Sequence, residues 1–492
     1  MNTGLASSAS TFIDLKKGWR PIWISSLLLT LWVLIPAGLE GSQINDSLEQ
    51  LIWGQSLEWG YWKHPPLTSW LVWLVTWVVP KPYLSTYLLG LICTLVTLWC
   101  TWRIGALLFD QATGDLTAVM MTLHFGFTRR AAVFNHNTVL ICMVALCVWC
   151  LLLALRHQQL RWWLMLGAFS GAALLTKYQA GIPMVGIFCV LLVSGQLTKH
   201  WRQLLLAALV ATLVVLPHLY WMYQHHFETI GYAMSYAGDE LAGDSVSTHL
   251  YKFLGGQIRF ALLPLIFMFA AMWSVRGTAD VAWKMTREQR DWLVGLVAVP
   301  LLIFVLLAVW GGVRLQTYWG LQTSQFVPLL LAVWLRRACA EWGRWYSRLW
   351  LGLAFSALIF FFAQEATWLP NPSRGAELKG YPAKEIAAEA VSYWRGQTNC
   401  PLKYVSGETA PAAMFVGYSG EKGVLALQDG DFGKSPWIRE DEMRRYGFLE
   451  LRLSKDSALA SSVTPHLNQY RPKDAPMWQI ITYHAPQEGC AP

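Results

Sequence analysis

Long apolar runs separated by short polar turns recur down most of this chain, and a polypeptide patterned this way must cross a bilayer repeatedly as helices. Runs near the spanning length of roughly 20 residues fall at 21–39, 84–108, 113–128, 138–155, 162–176, 179–197, 204–222, 257–275, 291–311, 323–336 and 347–366. They predict a polytopic α-helical membrane protein of about eleven spans. The run 67–79 is shorter and bracketed by Pro66 and Pro80, so a re-entrant or interfacial helix is expected there. Composition agrees: 55% of the 492 residues are hydrophobic, 14% are charged and 29 are Trp, which excludes an ordinary soluble globule.

The formal charge of +8 is scattered in short clusters between apolar runs rather than gathered in one domain. That distribution argues against nucleic-acid binding and for membrane topology. With the N-terminus inside, Lys16/Lys17/Arg20, Arg156/Arg161, Lys199/Arg202, Arg276/Lys284/Arg287/Arg290 and Arg336/Arg337/Arg344/Arg348 all fall on the cytoplasmic side, as the positive-inside rule asks. A span at 67–79 would reverse most of them. The first run ends in Gly38-Leu39-Glu40-Gly41 without a small-x-small cleavage site, so an uncleaved first span is expected.

Three regions result: a cytoplasmic 1–20, a membrane region 21–366 with its first outer loop at 40–83, and a soluble outer region 367–492. In the last, Ala383 to Trp394 has a helical pattern, while Leu402 to Val405, Gly423 to Leu427, Phe448 to Leu453 and Trp478 to Tyr483 read as strands of a small α/β domain. Cys400 and Cys490 are the two cysteines of that polar region and should be bridged if it faces an oxidising compartment. The other seven fall in or beside apolar runs, where a thiol behaves as a small hydrophobe; Cys142, Cys147 and Cys150 lack the polar company of a metal site.

Ile44 to Leu67 carries Asp46, Glu49, Glu58, Lys63 and His64 in a chain otherwise short of charge. Its first half reads as an amphipathic helix, with Leu48, Leu51, Ile52 and Gln55 near a helical period, broken by Gly60 and Pro65-Pro66. One reading is an interfacial helix with Trp53, Trp59, Tyr61 and Trp62 at headgroup level. The expected topology also gathers Arg129, Arg130, Asn135, His136, Asn137, Lys177, His225, His226 and Arg314 on the outer face. Ionisable groups close to a bilayer are costly, so each needs a partner, water or a function; snorkelling at the interface is the alternative for any one of them. Several cations beside a carboxylate suit transfer of a group from a lipid-linked phosphate to a hydroxyl. The carboxylate takes the acceptor proton, and the cations stabilise charge on the departing phosphate.

The stretch Asp46, Trp53-Gly54-Gln55, Trp59-Gly60-Tyr61 and His64-Pro65-Pro66-Leu67 resembles the first outer loop of glycosyltransferase family 39 and its relatives, the protein O-mannosyltransferases and lipid A aminoarabinose transferases. Leu175-Thr176-Lys177-Tyr178 resembles the family's Leu-Ser-Lys-Tyr. The family's opening Asp-Glu is Asp46-Ser47 here, and Asn135-His136-Asn137-Thr138 stands where many members have Thr-Pro-Asp, so the second family Asp is Asn137. The resemblance implies a GT-C fold and an inverting glycosyltransferase using a polyprenyl-phosphate sugar donor, undecaprenyl phosphate in a bacterial inner membrane. The acceptor would be a glycolipid such as lipopolysaccharide or lipid A, a polysaccharide or a protein. It implies Asp46 as catalytic base; Glu49, which has no firm counterpart in the family's loop, is a candidate second carboxylate. Lys177, Arg129, Arg130 and Lys63 would hold the donor phosphate, and His64, Asn135, His136, Asn137, Tyr178 and Arg314 would line the cavity. Tyr232, Tyr236 and the segment from Asp239-Glu240 to Asp244 are expected over the sugar. The superfamily leaves a divalent metal open, but no ligand set in this chain demands one.

A carrier of lipid-linked sugar is the competing reading, since polar groups in spans also mark transport paths. A transporter needs those groups near mid-membrane, whereas here they cluster at one face.

Overall fold

The computed structural model describes residues 21–39, 41–79, 81–128, 131–238, 244–274, 285–338, 383–454 and 478–487. Helices form along the apolar runs because backbone groups in hydrocarbon find no partners but one another. In chain order they are α1 (Pro21–Leu39), α2 (Asn45–Trp53), α3 (Leu67–Thr76), α4 (Pro82–Leu108), α5 (Gln111–Leu123), α6 (His136–His157) and α7 (Leu160–Leu174). There follow α8 (Gly181–Val193), α9 (Trp201–Gln224), α10 (Glu228–Gly238), α11 (Val246–Ser274), α12 (Arg287–Val309, with a π-helical turn at Val294–Ala298) and α13 (Val327–Ala338).

Among the described residues five helices, α4, α6, α9, α11 and α12, are long and apolar enough to cross a bilayer, and shorter apolar helices accompany them. The expected run at 347–366 lies outside the described residues. The ten residues of α3 rise about 15 Å, half the roughly 30 Å of a hydrocarbon core, so α3 is too short to cross one. Helix approach is set by small residues: a Cβ on Gly167 of α7 would stand 2.4 Å from the Ala207 carbonyl of α9.

Because the chain reverses at each connection, the polar connections sort to two ends. At one end Gln289 Nε2 donates to the Leu108 carbonyl (2.7 Å) and Arg336 pairs with Asp110 (3.5 Å). At the other, the Leu67 N–H donates to the Leu175 carbonyl (3.0 Å) and His218 Nδ1 lies 2.7 Å from the Trp59 carbonyl.

Beyond the membrane helices, α14 (Ala383–Gln397), β1 (Tyr404–Gly407), α15 (Thr409–Tyr418), β2 (Leu425–Gln428), α16 (Glu440–Tyr446), β3 (Phe448–Ser454) and β4 (Trp478–His484) build a four-stranded sheet of order β2-β1-β3-β4. β1 is parallel to both neighbours and β4 antiparallel to β3. Cys400 is disulfide-bonded, and Cys490 lies outside the described residues.

The expectation of a tail separate from the membrane region needs correcting. One buried apolar cluster runs from Leu48, Leu51, Ile52 and Trp53 of α2 through Met414 and Phe415 of α15 to Val405, Leu449 and Ile481 of the sheet. Tyr83 at the start of α4 stacks on Tyr418 at 4.4 Å. The apolar face of α2 is therefore covered by the tail, and Trp53 and Tyr61 are buried rather than sitting at headgroup level. Trp59 alone of the pair in Trp59-Gly60-Tyr61 remains half exposed, at 51%.

Candidate active site

The first loop is shaped by its own motif residues. Tyr61 bridges to His64 and stacks on Trp53 at 5.3 Å, and its hydroxyl donates to the Ser56 carbonyl (2.6 Å). Gly60 lies against the face of Trp221 of α9, where a Cβ would come within 2.3 Å of the indole ring. The Trp-Gly-Tyr element is thus the seam between loop and helix bundle, and the Leu67–Leu175 bond ties it to the Leu175–Tyr178 motif.

Asp46 stands in the first turn of α2, where unpaired N–H groups favour a carboxylate. Asn135 caps α6: its Oδ1 accepts from the N–H groups of Asn137 (3.0 Å) and Thr138 (3.1 Å), which turns its Nδ2 to donate to Asp46 Oδ2 (2.9 Å). One residue into that helix, Asn137 Oδ1 accepts from Lys177 Nζ (3.1 Å), which also lies 5.7 Å from the Trp319 ring centre. The Asn137 side chain is uncharged. It anchors Lys177 without neutralising it.

Glu49 and Lys63 form an ion pair, Nζ to Oε2 at 3.1 Å, with Glu49 only 3% exposed. Burial pushes the Glu49 carboxyl up against the pull of Lys63. Burial works against the Lys63 charge as well, yet Glu49, Tyr232 and Asp46 together hold it above the ordinary lysine range. Glu49 is therefore the counter-charge of Lys63 and not a free second carboxylate. Burial, followed by His136, Lys177 and Lys63, keeps His64 well below the usual imidazole value, so its ring is neutral; it packs against His136 with centroids 3.8 Å apart.

Asp46, Glu49, Lys63, His64, Asn137 and Lys177 all border one cavity of about 870 Å³, lined also by Tyr232 and Tyr236 of α10 and by the 311–319 turn. That volume is in the range of small-molecule sites. Tyr178 also borders it, while its hydroxyl bonds Thr229 Oγ1 (2.7 Å) and His218 Nε2 (2.9 Å), tying α10 to α9. Arg314 stands apart from the lining: its guanidinium donates to the Gly238 carbonyl and, at 3.3 Å, to that of Asp244, holding the α10–α11 connection. Arg129, Arg130, Asp239 and Glu240 lie outside the described residues. Asp244 pairs with Lys252. Among the described residues no three His, Cys, Asp or Glu side chains converge as a metal cluster.

Sequence reasoning missed Trp319 and Gln316 in the turn before α13 and, in the tail, Gln428 and Thr409, which bond Glu49 or its partners. The one available signal was a glutamine closing the apolar strand Leu425-Ala426-Leu427-Gln428.

Residues 63–221 match a family described as dolichyl-phosphate-mannose-protein mannosyltransferase. The lipid A galacturonosyltransferase RgtD of Rhizobium johnstonii is 24% identical over 382 residues, covering 74% of this chain and 75% of the relative. The lipopolysaccharide core galacturonosyltransferase RgtA of the same organism is 27% identical over 324 residues, 59% of this chain and 60% of the relative. The fold is that of ArnT from Cupriavidus metallidurans: its apo crystal structure superposes with a TM-score of 0.57 at 11% identity, over 96% of this chain and 99% of that one. The form bound to undecaprenyl phosphate gives 0.56 at 13% identity over the same shares. With named glycosyltransferases among its relatives, the carrier reading loses its ground. Family match, relatives and fold agree that the chain is a multi-pass membrane glycosyltransferase of the GT-C class.

Proposed function

We propose that the protein transfers a sugar, a uronic acid of the galacturonic type, from undecaprenyl phosphate to a hydroxyl of lipid A or the lipopolysaccharide core at the outer face of a bacterial inner membrane. The observation that carries this reading is the convergence of one accessible carboxylate, Asp46, with two anchored cations, Lys63 and Lys177, on a single cavity at one end of the helix bundle. The donor and acceptor classes are supported by the relatives, two of them named for galacturonosyl transfer to lipid A and core, and by the undecaprenyl phosphate in the ArnT structure.

In the transfer, Asp46 takes the proton of the acceptor hydroxyl as its oxygen attacks the anomeric carbon opposite the phosphate. The carbon–oxygen bond to phosphate breaks, the configuration inverts, and polyprenyl phosphate departs carrying the electron pair. Lys177 neutralises the charge on the leaving group and Lys63, itself paired with Glu49, donates a hydrogen bond to it, where exclusion of water strengthens both. The Asn135 amide holds the Asp46 carboxylate in place.

The test is transfer in liposomes from undecaprenyl-phosphate galacturonic acid to lipid A by wild type and Asp46→Asn. Loss of a general base predicts a fall of about 100-fold or more in the variant. Full activity in Asp46→Asn would remove the base assignment, and no transfer from any lipid-linked sugar by wild type would remove the reading as a whole.

A further inference from the structure

The Trp53-Gly54-Gln55 element meets the cavity through the Trp53 ring, edge-on to His64 and His136 at 6.2 and 6.1 Å between centroids, and its polar groups point to the tail. Gln55 Nε2 donates to the Val424 carbonyl (2.7 Å) and its Oε1 accepts from the Ala426 N–H (2.9 Å), filling the open side of β2, an edge strand. In return the last residue of β2, Gln428, enters the loop while only 1% exposed. Its Oε1 accepts from Trp53 Nε1 (2.8 Å), and its Nε2 donates to Glu49 Oε1 (3.0 Å) and Thr409 Oγ1 (3.0 Å). An indole N–H can only donate, so it fixes the amide orientation: oxygen toward Trp53, NH₂ toward Glu49. The Thr409 hydroxyl in turn donates a hydrogen bond to Asp429 Oδ1 (3.1 Å), and Asp429 pairs with Lys434 (2.9 Å). An unbroken chain of hydrogen bonds therefore runs from the tail surface through Gln428 to Glu49, and from Glu49 to Lys63 at the cavity.

We infer that Gln428 is a positioning residue of the transfer site: the tail, through this one amide, fixes the Glu49 carboxylate that holds Lys63 against the cavity, and so completes the donor-phosphate site rather than merely covering it. This rests on the reading of Lys63 as a phosphate ligand. A glutamate at 428 has the same shape but donates to Glu49 only when protonated. When ionised it sets a second carboxylate beside Glu49, with Lys63 and Asp46 on the loop side and Asp429 and Lys434 on the tail side. Two carboxylates at that distance share one proton.

The experiment measures Gln428→Glu against wild type, as full chains in liposomes, between pH 5.5 and 8, with two readouts: binding of undecaprenyl phosphate alone and transfer from undecaprenyl-phosphate galacturonic acid. The variant-to-wild-type ratio of both is expected to fall as pH rises, by roughly 10- to 100-fold in all, the range for a lost hydrogen bond to a charged group. Gln428→Leu, which has no proton to gain, should be impaired at every pH. A ratio independent of pH in Gln428→Glu, whatever the yield of folded protein, overturns the inference and makes Gln428 a packing residue. Were wild type to bind undecaprenyl phosphate but transfer no sugar, the proposed function would fall, and the binding ratio would still decide the role of Gln428.

Discussion

Charge placement at single residues separates stability from chemistry in this site. Removing Lys63 leaves Glu49 buried and unpaired, a loss of about 3–5 kcal/mol. Lys63→Ala should therefore lower the melting temperature in detergent, while Glu49→Gln with Lys63→Met should restore much of it without restoring transfer. Asn137→Asp is a subtler change: it keeps the contact to Lys177 but neutralises it. Undecaprenyl phosphate affinity should drop about tenfold, the scale of one charge-assisted bond, as read by titration in nanodiscs. His64 gives a pH signature. Burial and the neighbouring His136, Lys177 and Lys63 keep it neutral in the folded protein, whereas the unfolded chain protonates below its ordinary value of 6.5. The unfolded state then binds the extra proton, so stability falls as pH drops through that value. His64→Gln should flatten this slope in melting curves taken from pH 7.5 to 5.

At the scale of elements, the informative stretches are those whose sequence motif and local structure part company. Gly60 is needed because backbone lies flat on Trp221, and a methyl there must displace either the loop or α9. Gly60→Ala should cost about 1–3 kcal/mol by overpacking and misplace Lys63 and His64, lowering both melting temperature and transfer rate. The amphipathic pattern of α2 was legible from Leu48, Leu51 and Ile52, but not what its apolar face meets. A bilayer surface and the α15 helix of a distant segment satisfy the same pattern, and only the second buries Trp53. The α3 helix was legible as a short element from its length and flanking prolines, and its ten residues cannot cover the hydrocarbon thickness.

For the whole molecule, the shared core means that membrane region and tail stabilise one another. A chain ending before Ala383 would bare Leu48, Leu51, Ile52 and Trp53, each worth about 1.5–3 kcal/mol on burial. Such a truncation should fail to give a monodisperse peak in size-exclusion chromatography. What the sequence by itself determined was whatever depends on local pattern: helices along the apolar runs, the strands of the tail, and the gathering of Asp46, Lys63, Asn135, Asn137 and Lys177 at one end of the bundle, since alternation of spans dictates which connections meet. Tertiary structure alone decided the pairings. Glu49 became the partner of Lys63 and Arg314 a clasp on the α10–α11 connection. The tail became a contributor to the site through Gln428, because contacts between residues 379 positions apart leave no periodicity for a sequence to display.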